Sequence, residues 1–521
     1  MAREKISGVD TAWLRMEHPT NLMMIVGVMM FDGALNLKKV RRIIEARFLA
    51  YRRFRQRAVQ DSSGAWWEDD TDFDIDSHVH RIALPGKADK AELEALVSDL
   101  ASTPLDFTKP LWQFHLVDNY AGGGSALILR IHHCYADGIA LIQVMLSMTH
   151  TDARGSLAMP AADIETTSSG GETEFWEQIL KPVTGALENA GQIGKGLLEQ
   201  GRAIAANPQM ATDAMQEASR KGVDFIGEVA KLALMGRDSP TRFKGPLTAR
   251  KRCAWADPLP LEEVKIVGRA LGCSINDVLL AMAAGALRDY LEEHGDPVEG
   301  VEIRALVPVN LRPPGQGHSL GNHFGLVFLD LPLGMDHPLE RLYEVRRRMR
   351  ALKGSYQPAI ALGLLTAVGH GPRILQEQVV QLLGQNASAV MTNVPGPQHP
   401  LYFAGGRIAE QNFWVPQSGG IGMGVSILSY NGRIQFGVIT DEGLVPDPNE
   451  IVARFAGEFD KLMWLTLMSA WGEDEVAPKS EAKPARASRP KKAKADKAPA
   501  VAEVAESAPA AAKVPKRFRN L

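Results

Sequence analysis

His132-His133-Cys134-Tyr135-Ala136-Asp137-Gly138 is the stretch that decides how this chain is read. It follows Ser125-Ala126-Leu127-Ile128-Leu129-Arg130-Ile131, an apolar run with the length of a buried strand. It precedes Ile139-Ala140-Leu141-Ile142-Gln143-Val144-Met145-Leu146, which reads as a helix. The histidine pair therefore stands where a strand gives way to a loop and then to a helix. Neighbouring strand residues point to opposite faces, so only one of the two rings can aim at a given cleft. A neutral imidazole can take a proton from a hydroxyl or thiol near neutral pH. Two roles are open to Asp137: capping the following helix with its carboxylate, or pairing with a distant arginine to hold the loop. Gly138 would let the chain turn tightly. The plainer alternative is a satisfied strand histidine followed by a capping aspartate.

Outward from this stretch the first half alternates strands and helices. A strand is expected over 21–31, a basic amphipathic helix over 36–57, a strand over His78–Leu84 and a helix over Ala91–Leu100. Trp112–Val117 and Ala126–His133 read as a hairpin around Gly122-Gly123-Gly124. This is a mixed α/β layer architecture. Thr151–Gly236 reads as a polar loop followed by Ala-rich helices, a crossover between two halves of similar design. In the second half, helices are expected over Leu261–Leu271, Asn276–His294, Leu339–Leu352 and Pro448–Leu462. Strands are expected over Val301–Val309 and His323–Leu331, and a hairpin over Val425–Tyr430 and Arg433–Ile439 around Asn431-Gly432. The expected boundaries are 1–150, 151–240, 241–470 and a tail over 471–521. From Lys479 onward the chain is rich in Ala, Pro and Lys, with a basic excess that predicts disorder.

Further segments narrow the reading. Pro110-Leu111-Trp112, Asn276-Asp277, Pro308-Val309-Asn310-Leu311-Arg312, Gly321-Asn322-His323-Phe324-Gly325 and Thr392-Asn393-Val394-Pro395-Gly396-Pro397 occur in that order. With the His-His-x-x-x-Asp-Gly stretch they resemble the bacterial wax ester synthase/diacylglycerol acyltransferase family, a branch of the CoA-dependent acyltransferase superfamily. The resemblance runs from about Ser7 to about Leu465. It departs near the start, where the family's Ser-Pro-x-Asp is Ser7-Gly8-Val9-Asp10. The resemblance implies an α/β fold of two chloramphenicol-acetyltransferase-like halves with mixed sheets and a channel between them. It implies an O-acyltransferase that moves a long-chain acyl group from acyl-CoA to diacylglycerol or a long-chain alcohol, making triacylglycerol or wax ester. His133 would be the general base, His132 a supporting residue, and Asp137 and Gly138 structural members of the site. Asn276 and Asp277 would touch substrate, or simply form a helix N-cap with an acidic first turn. No metal and no cofactor are implied, acyl-CoA being a co-substrate.

Bulk properties agree with an enzyme of this size. The 521 residues suit two domains plus extras, and 45% hydrophobic with 23% charged residues allows a sizeable core. A net charge of −3 argues against a dedicated nucleic-acid binder. Three cysteines, Cys134, Cys253 and Cys273, form no disulfide framework. No segment has the apolar length of a transmembrane helix and the first residues lack a secretory core, so a cytoplasmic protein is expected, either soluble or peripheral on the inner membrane or lipid inclusions. The basic tail reads by default as a solvated linker without a partner, and alternatively could meet anionic lipid at a membrane or lipid-droplet surface. A lipid-surface protein without turnover, and an acyltransferase for another acceptor, are the competing functions. Three weaker signals are a His78/His80 metal pair, a phosphate-loop-like Gly420-Ile421-Gly422-Met423-Gly424, and the acidic run Glu68–Asp76, read as a solvated edge.

Overall fold

The computed structural model describes residues 3–62, 64–158, 236–310, 322, 324–352, 357, 361, 384–417 and 419–469. The helices expected between Phe175 and Leu234, the Pro313–Gly317 loop and the tail beyond residue 470 lie outside these residues. So do Leu311, Arg312, Gly321 and His323 of the quoted motifs.

The strands are β1 Glu4–Lys5, β2 Met24–Phe31, β3 Gln56–Asp61, β4 Gly64–Asp69, β5 Val79–Ile82, β6 Trp112–Tyr120 and β7 Gly124–His132 in the first half. In the second half they are β8 Lys251–Trp255, β9 Leu259–Pro260, β10 Ile303–Asn310, β11 Phe324–Leu331, β12 Ala389–Pro395, β13 Tyr402–Phe403, β14 Gly406–Trp414, β15 Met423–Tyr430 and β16 Arg433–Asp441. The helices are α1 Gly8–Met16, α2 Leu37–Ile43, α3 Lys90–Ala101, α4 Gly138–Ser147, α5 Ala153–Ala158, α6 Leu261–Leu271, α7 Ile275–Glu293, α8 Pro338–Leu352 and α9 Pro448–Leu467.

Two mixed sheets dominate, as the α/β reading expects. The first has the order β13-β14-β2-β7-β6-β5, so strands from beyond residue 400 extend a sheet begun by the first half. The second has the order β11-β10-β12-β15-β16-β8, with β9 added on β16. β10, β12 and β15 run parallel, and the β15–β16 hairpin turns at Asn431-Gly432, both at positive φ. β7 is buried at every position, the signature of a strand covered on both faces. One apolar core surrounds the first sheet, and a second joins α6, α7, α8 and α9 to the second sheet.

The helix expected over 36–57 is instead three short pieces. α2 ends at Ile43, a π turn spans Ile44–Phe48, a 3₁₀ turn spans Arg52–Arg55, and Gln56 already opens β3. The wider π turn keeps Ile44 and Phe48 fully buried, and Phe48 stacks on Phe54 at 3.9 Å. Packing has overridden a regular helical period here. Among the described residues no single helix is long and apolar enough to cross a membrane. The α6–α7 pair passes on length and composition only, and is bent by 100°.

Candidate active site

The β6–β7 hairpin carries the chain to His132, where the ladder with β2 ends at the Met24↔His132 pair. The next residue leaves the sheet, yet its N–H still donates to the Met23 carbonyl at 2.7 Å, fixing where the His133 ring departs. The two rings part as strand alternation requires. His133 lines a cavity of about 290 Å³ between the halves, and His132 does not. His132 faces inward: its Nδ1 accepts from the Cys134 N–H at 3.1 Å, and its Nε2 lies 3.4 Å from Glu17 Oε2. That second approach lacks hydrogen-bond geometry. Phe107 meets the His132 ring edge-on at 5.9 Å.

The environment of His133 is aromatic and dry. Trp13 of α1 stacks on it at 4.1 Å and 21°, and Phe324 of β11 tilts against it at 5.7 Å. Burial pushes its pKa down to about 4, while the Asp137 carboxylate and Asn322 pull the other way. The ring is therefore neutral at physiological pH, and its Nδ1 is buried without a hydrogen-bond partner.

Three residues hold this segment from across the two halves. Asp10 Oδ1 accepts from both the backbone N–H (3.2 Å) and the side-chain amide (2.7 Å) of Asn322. The same amide donates to the His133 carbonyl at 2.8 Å. Burial raises the Asp10 pKa, and the Asn322 bonds oppose that rise. Ser7 caps α1, its Oγ accepting from the Asp10 N–H at 3.1 Å. Thus the altered Ser7-Gly8-Val9-Asp10 stretch keeps its aspartate at the base of the site. Sequence reasoning missed Trp13, Asp10 and Asn322 as neighbours of His133. The signal for Asp10 was the near-match to the family pattern, and for Asn322 its place in a quoted motif. Trp13 had no signal of its own.

Asp137 takes up the capping role. It caps α4, its side chain accepting from the Ala140 N–H at 2.9 Å. Gly138 does not need an unusual turn: it is absent from the positive-φ glycines, and a Cβ there would meet Val415 at an ordinary 3.8 Å. Tyr135 ties the loop to Pro110-Leu111-Trp112, accepting from the Leu111 N–H at 3.1 Å and donating to the Gln56 carbonyl at 2.5 Å.

Of the N-cap reading of Asn276 and Asp277, the acidic first turn holds at Asp277, but the cap residue itself lies further back. Ser274 is the cap of α7, and Asp277 completes a capping box with it. Neither Asn276 nor Asp277 lines the cavity. Asn276 reaches it at one remove, its Oδ1 accepting from the Asn393 amide at 2.6 Å, and Asn393 is on the wall. The rest of the wall is mostly apolar, with Thr392 and Ser426 as its hydroxyls.

The weaker signals are absorbed structurally. His78 Nδ1 lies 2.8 Å from the Trp112 carbonyl, and His80 stacks on His115 at 5.1 Å, so the two rings serve different neighbours. The glycine-rich 420–424 stretch leads into β15, a strand rather than a helix. Cys134 is fully buried, and burial pushes its thiol well above the usual range, so it supplies no thiolate.

The model of the wax ester synthase/diacylglycerol acyltransferase catalytic domain matches residues 6–279, and that of the C-terminal domain of the same enzymes matches 320–463. A Mycobacterium tuberculosis protein named as a diacylglycerol O-acyltransferase is 29% identical over 422 residues, covering 77% of this chain and 78% of the relative. A second so-named protein of that species is 27% identical over 479 residues, covering 88% and 97%. The solved wax ester synthase/diacylglycerol acyltransferase from Marinobacter aquaeolei VT8 superposes with a TM-score of 0.62 at 21% identity, covering 89% of this chain and all of that one. The first condensation domain of the calcium-dependent antibiotic synthetase shares the fold at a TM-score of 0.55 and 14% identity, covering 91% and 99%.

Proposed function

Since the chain belongs to the wax ester synthase/diacylglycerol acyltransferase family and is an acyltransferase, we propose that it transfers a long-chain acyl group from acyl-CoA to the hydroxyl of diacylglycerol or a long-chain alcohol. The observation that carries this reading is the neutral His133 ring on the wall of an apolar cavity built by both halves. In the proposed step the acceptor hydroxyl gives its proton to His133 as its oxygen attacks the thioester carbonyl. The tetrahedral intermediate then collapses, the C–S bond breaks, and the imidazolium returns the proton to the departing CoA thiolate. No acyl-enzyme is needed, and the inert Cys134 beside His133 supports that economy.

A base with a pKa near 4 is unprotonated at neutral pH but weak. Negative charge developing on the nearby oxyanion would raise its proton affinity as the reaction proceeds, since an opposite charge favours the imidazolium. The apolar wall serves long alkyl chains and keeps water from competing for the thioester. His132, Asp137 and Gly138 act through position: His132 buttresses the loop, and Asp137 anchors the start of α4, which Gly138 opens.

The test supplies purified protein with labelled palmitoyl-CoA and either hexadecanol or a diacylglycerol, and measures both ester and released CoA. Wild type should form ester, and His133→Ala should lose roughly 10²–10⁴-fold in rate, the usual worth of a positioned base. Equal CoA release by the two proteins would remove His133 from the chemistry.

A further inference from the structure

Part of the cavity wall near His133 is made by the first sheet and α4, and this part is apolar. Ile25, Leu129, Leu141, Ile142 and Met145 line this apolar arm, together with Phe413 of β14. Phe413 is half-buried, and its ring sits directly on Gly27 of β2. In the sheet Gly27 lies between Leu129 on one side and Phe413 on the other. A Cβ built on Gly27 would meet Phe413 Cδ1 at 2.3 Å, Phe413 Cε1 at 2.5 Å and Leu129 Cγ at 3.1 Å.

Gly27 is not there for its backbone. It is not among the positive-φ glycines, and it sits inside a strand, where glycine is less stable than alanine. What it supplies is space. Its missing side chain would project on the same face as Ile25, two residues away, which is the face that lines the arm. The Phe413 ring occupies that hollow, and Phe413 is itself part of the cavity wall.

We propose that Phe413, seated on Gly27, is the stop that sets how long an alkyl chain this arm accepts. The inference rests on the acyl-transfer reading above and adds a specificity-determining pair to it. The two positions act in opposite senses. Removing the ring deepens the arm. Adding a methyl at Gly27 drives the ring along the sheet normal, into the arm, and shortens it. The chain concerned is either that of the acyl donor or that of the acceptor alcohol, and the two are separable by experiment.

Wild type, Phe413→Leu, Phe413→Ala and Gly27→Ala are assayed with saturated acyl-CoAs of increasing length against one alcohol, then with alcohols of increasing length against one acyl-CoA. The Phe413 variants should favour longer chains than wild type and Gly27→Ala shorter ones, in one series and not the other. For the chain at the limit, kcat/KM should change by roughly tenfold or more, the usual discrimination of a single methylene in an apolar pocket. The series that moves identifies the occupant. Phe413→Leu retains an apolar side chain, so its profile remains informative if the alanine variant folds poorly. Unchanged profiles in folded variants, or shifts in the same direction at both positions, would overturn the proposal. If wild type forms no ester at all, the acyl-transfer reading fails separately. Displacement of a fluorescent fatty acid by free fatty acids and by alcohols of graded length then tests the stop without turnover, with the same opposite shifts expected.

Discussion

The two halves of the molecule meet at one cavity but bring different things to it. The first half brings the proposed base and its immediate support within a short span: His133, the Asp137 cap and α4. Among the described residues, the second half brings no comparable base to the wall. It supplies Asn322, Phe324, Asn393 and the apolar faces of β10, β12 and β15. Chemistry is thus local in the chain, whereas orientation is assembled over long separations: Asn322 lies 189 positions from the carbonyl it holds. In the proposed reaction a single imidazole would become a directed base only when both halves are docked.

The largest effect expected from this division is on stability against pH. Unfolded, His133 would titrate at the ordinary 6.5, and in the dry cavity it titrates near 4. Between these values the unfolded chain binds more protons, so stability rises with pH across that window. The contribution is fully present above pH 6.5 and is lost as pH falls towards 4, a difference of about 3 kcal/mol at 1.36 kcal/mol per unit. Denaturant unfolding of wild type and His133→Gln at pH 7 and pH 4 should show wild type losing the larger amount by that margin. Parallel losses would mean that the ring is not held in a dry site. The next effect concerns the contribution of the second half. Asn322→Ala leaves His133 chemically intact but releases its carbonyl and leaves the buried Asp10 with only the backbone N–H of its two bonds from residue 322. We expect kcat to fall roughly 10–100-fold, since misplacement of about 1 Å can cost that much. Unchanged kcat would confine orientation to the first half after all.

The same division explains what could be read in advance. The strand–loop–helix around His133, the β6–β7 and β15–β16 hairpins and the α6 boundaries were legible because each depends on period and turn chemistry within a few residues. The choice between the histidines was only half legible: alternation says that they diverge, but not which faces the cleft. The helix expected over 36–57 broke because burying Phe48 against Phe54 decided its geometry, and that is a tertiary matter. The stacking of Trp13 on His133, the Asp10–Asn322 tie and the insertion of β14 beside β2 join residues far apart in the chain. No local pattern encodes such pairs. Asn276 illustrates the boundary, being legible as a motif while its route to the cavity through Asn393 was not.

The smallest effect separates the two jobs that Asp137 performs inside the first half. As a cap it satisfies the Ala140 N–H and starts α4, and as a charge it raises the proton affinity of His133. Serine keeps an accepting oxygen at the cap but removes the charge, and alanine removes both. Asp137→Ala should therefore destabilise the protein by about 1 kcal/mol, the usual worth of an N-cap, while Asp137→Ser should cost much less. Both should depress His133 further, because the carboxylate is the foremost influence opposing burial there. The acid limb of the pH–rate profile would then move to lower pH in both variants, although only alanine lowers the melting temperature appreciably. An acid limb that stays in place in both would leave Asp137 a cap alone, and the tuning of His133 would fall to burial and to Asn322.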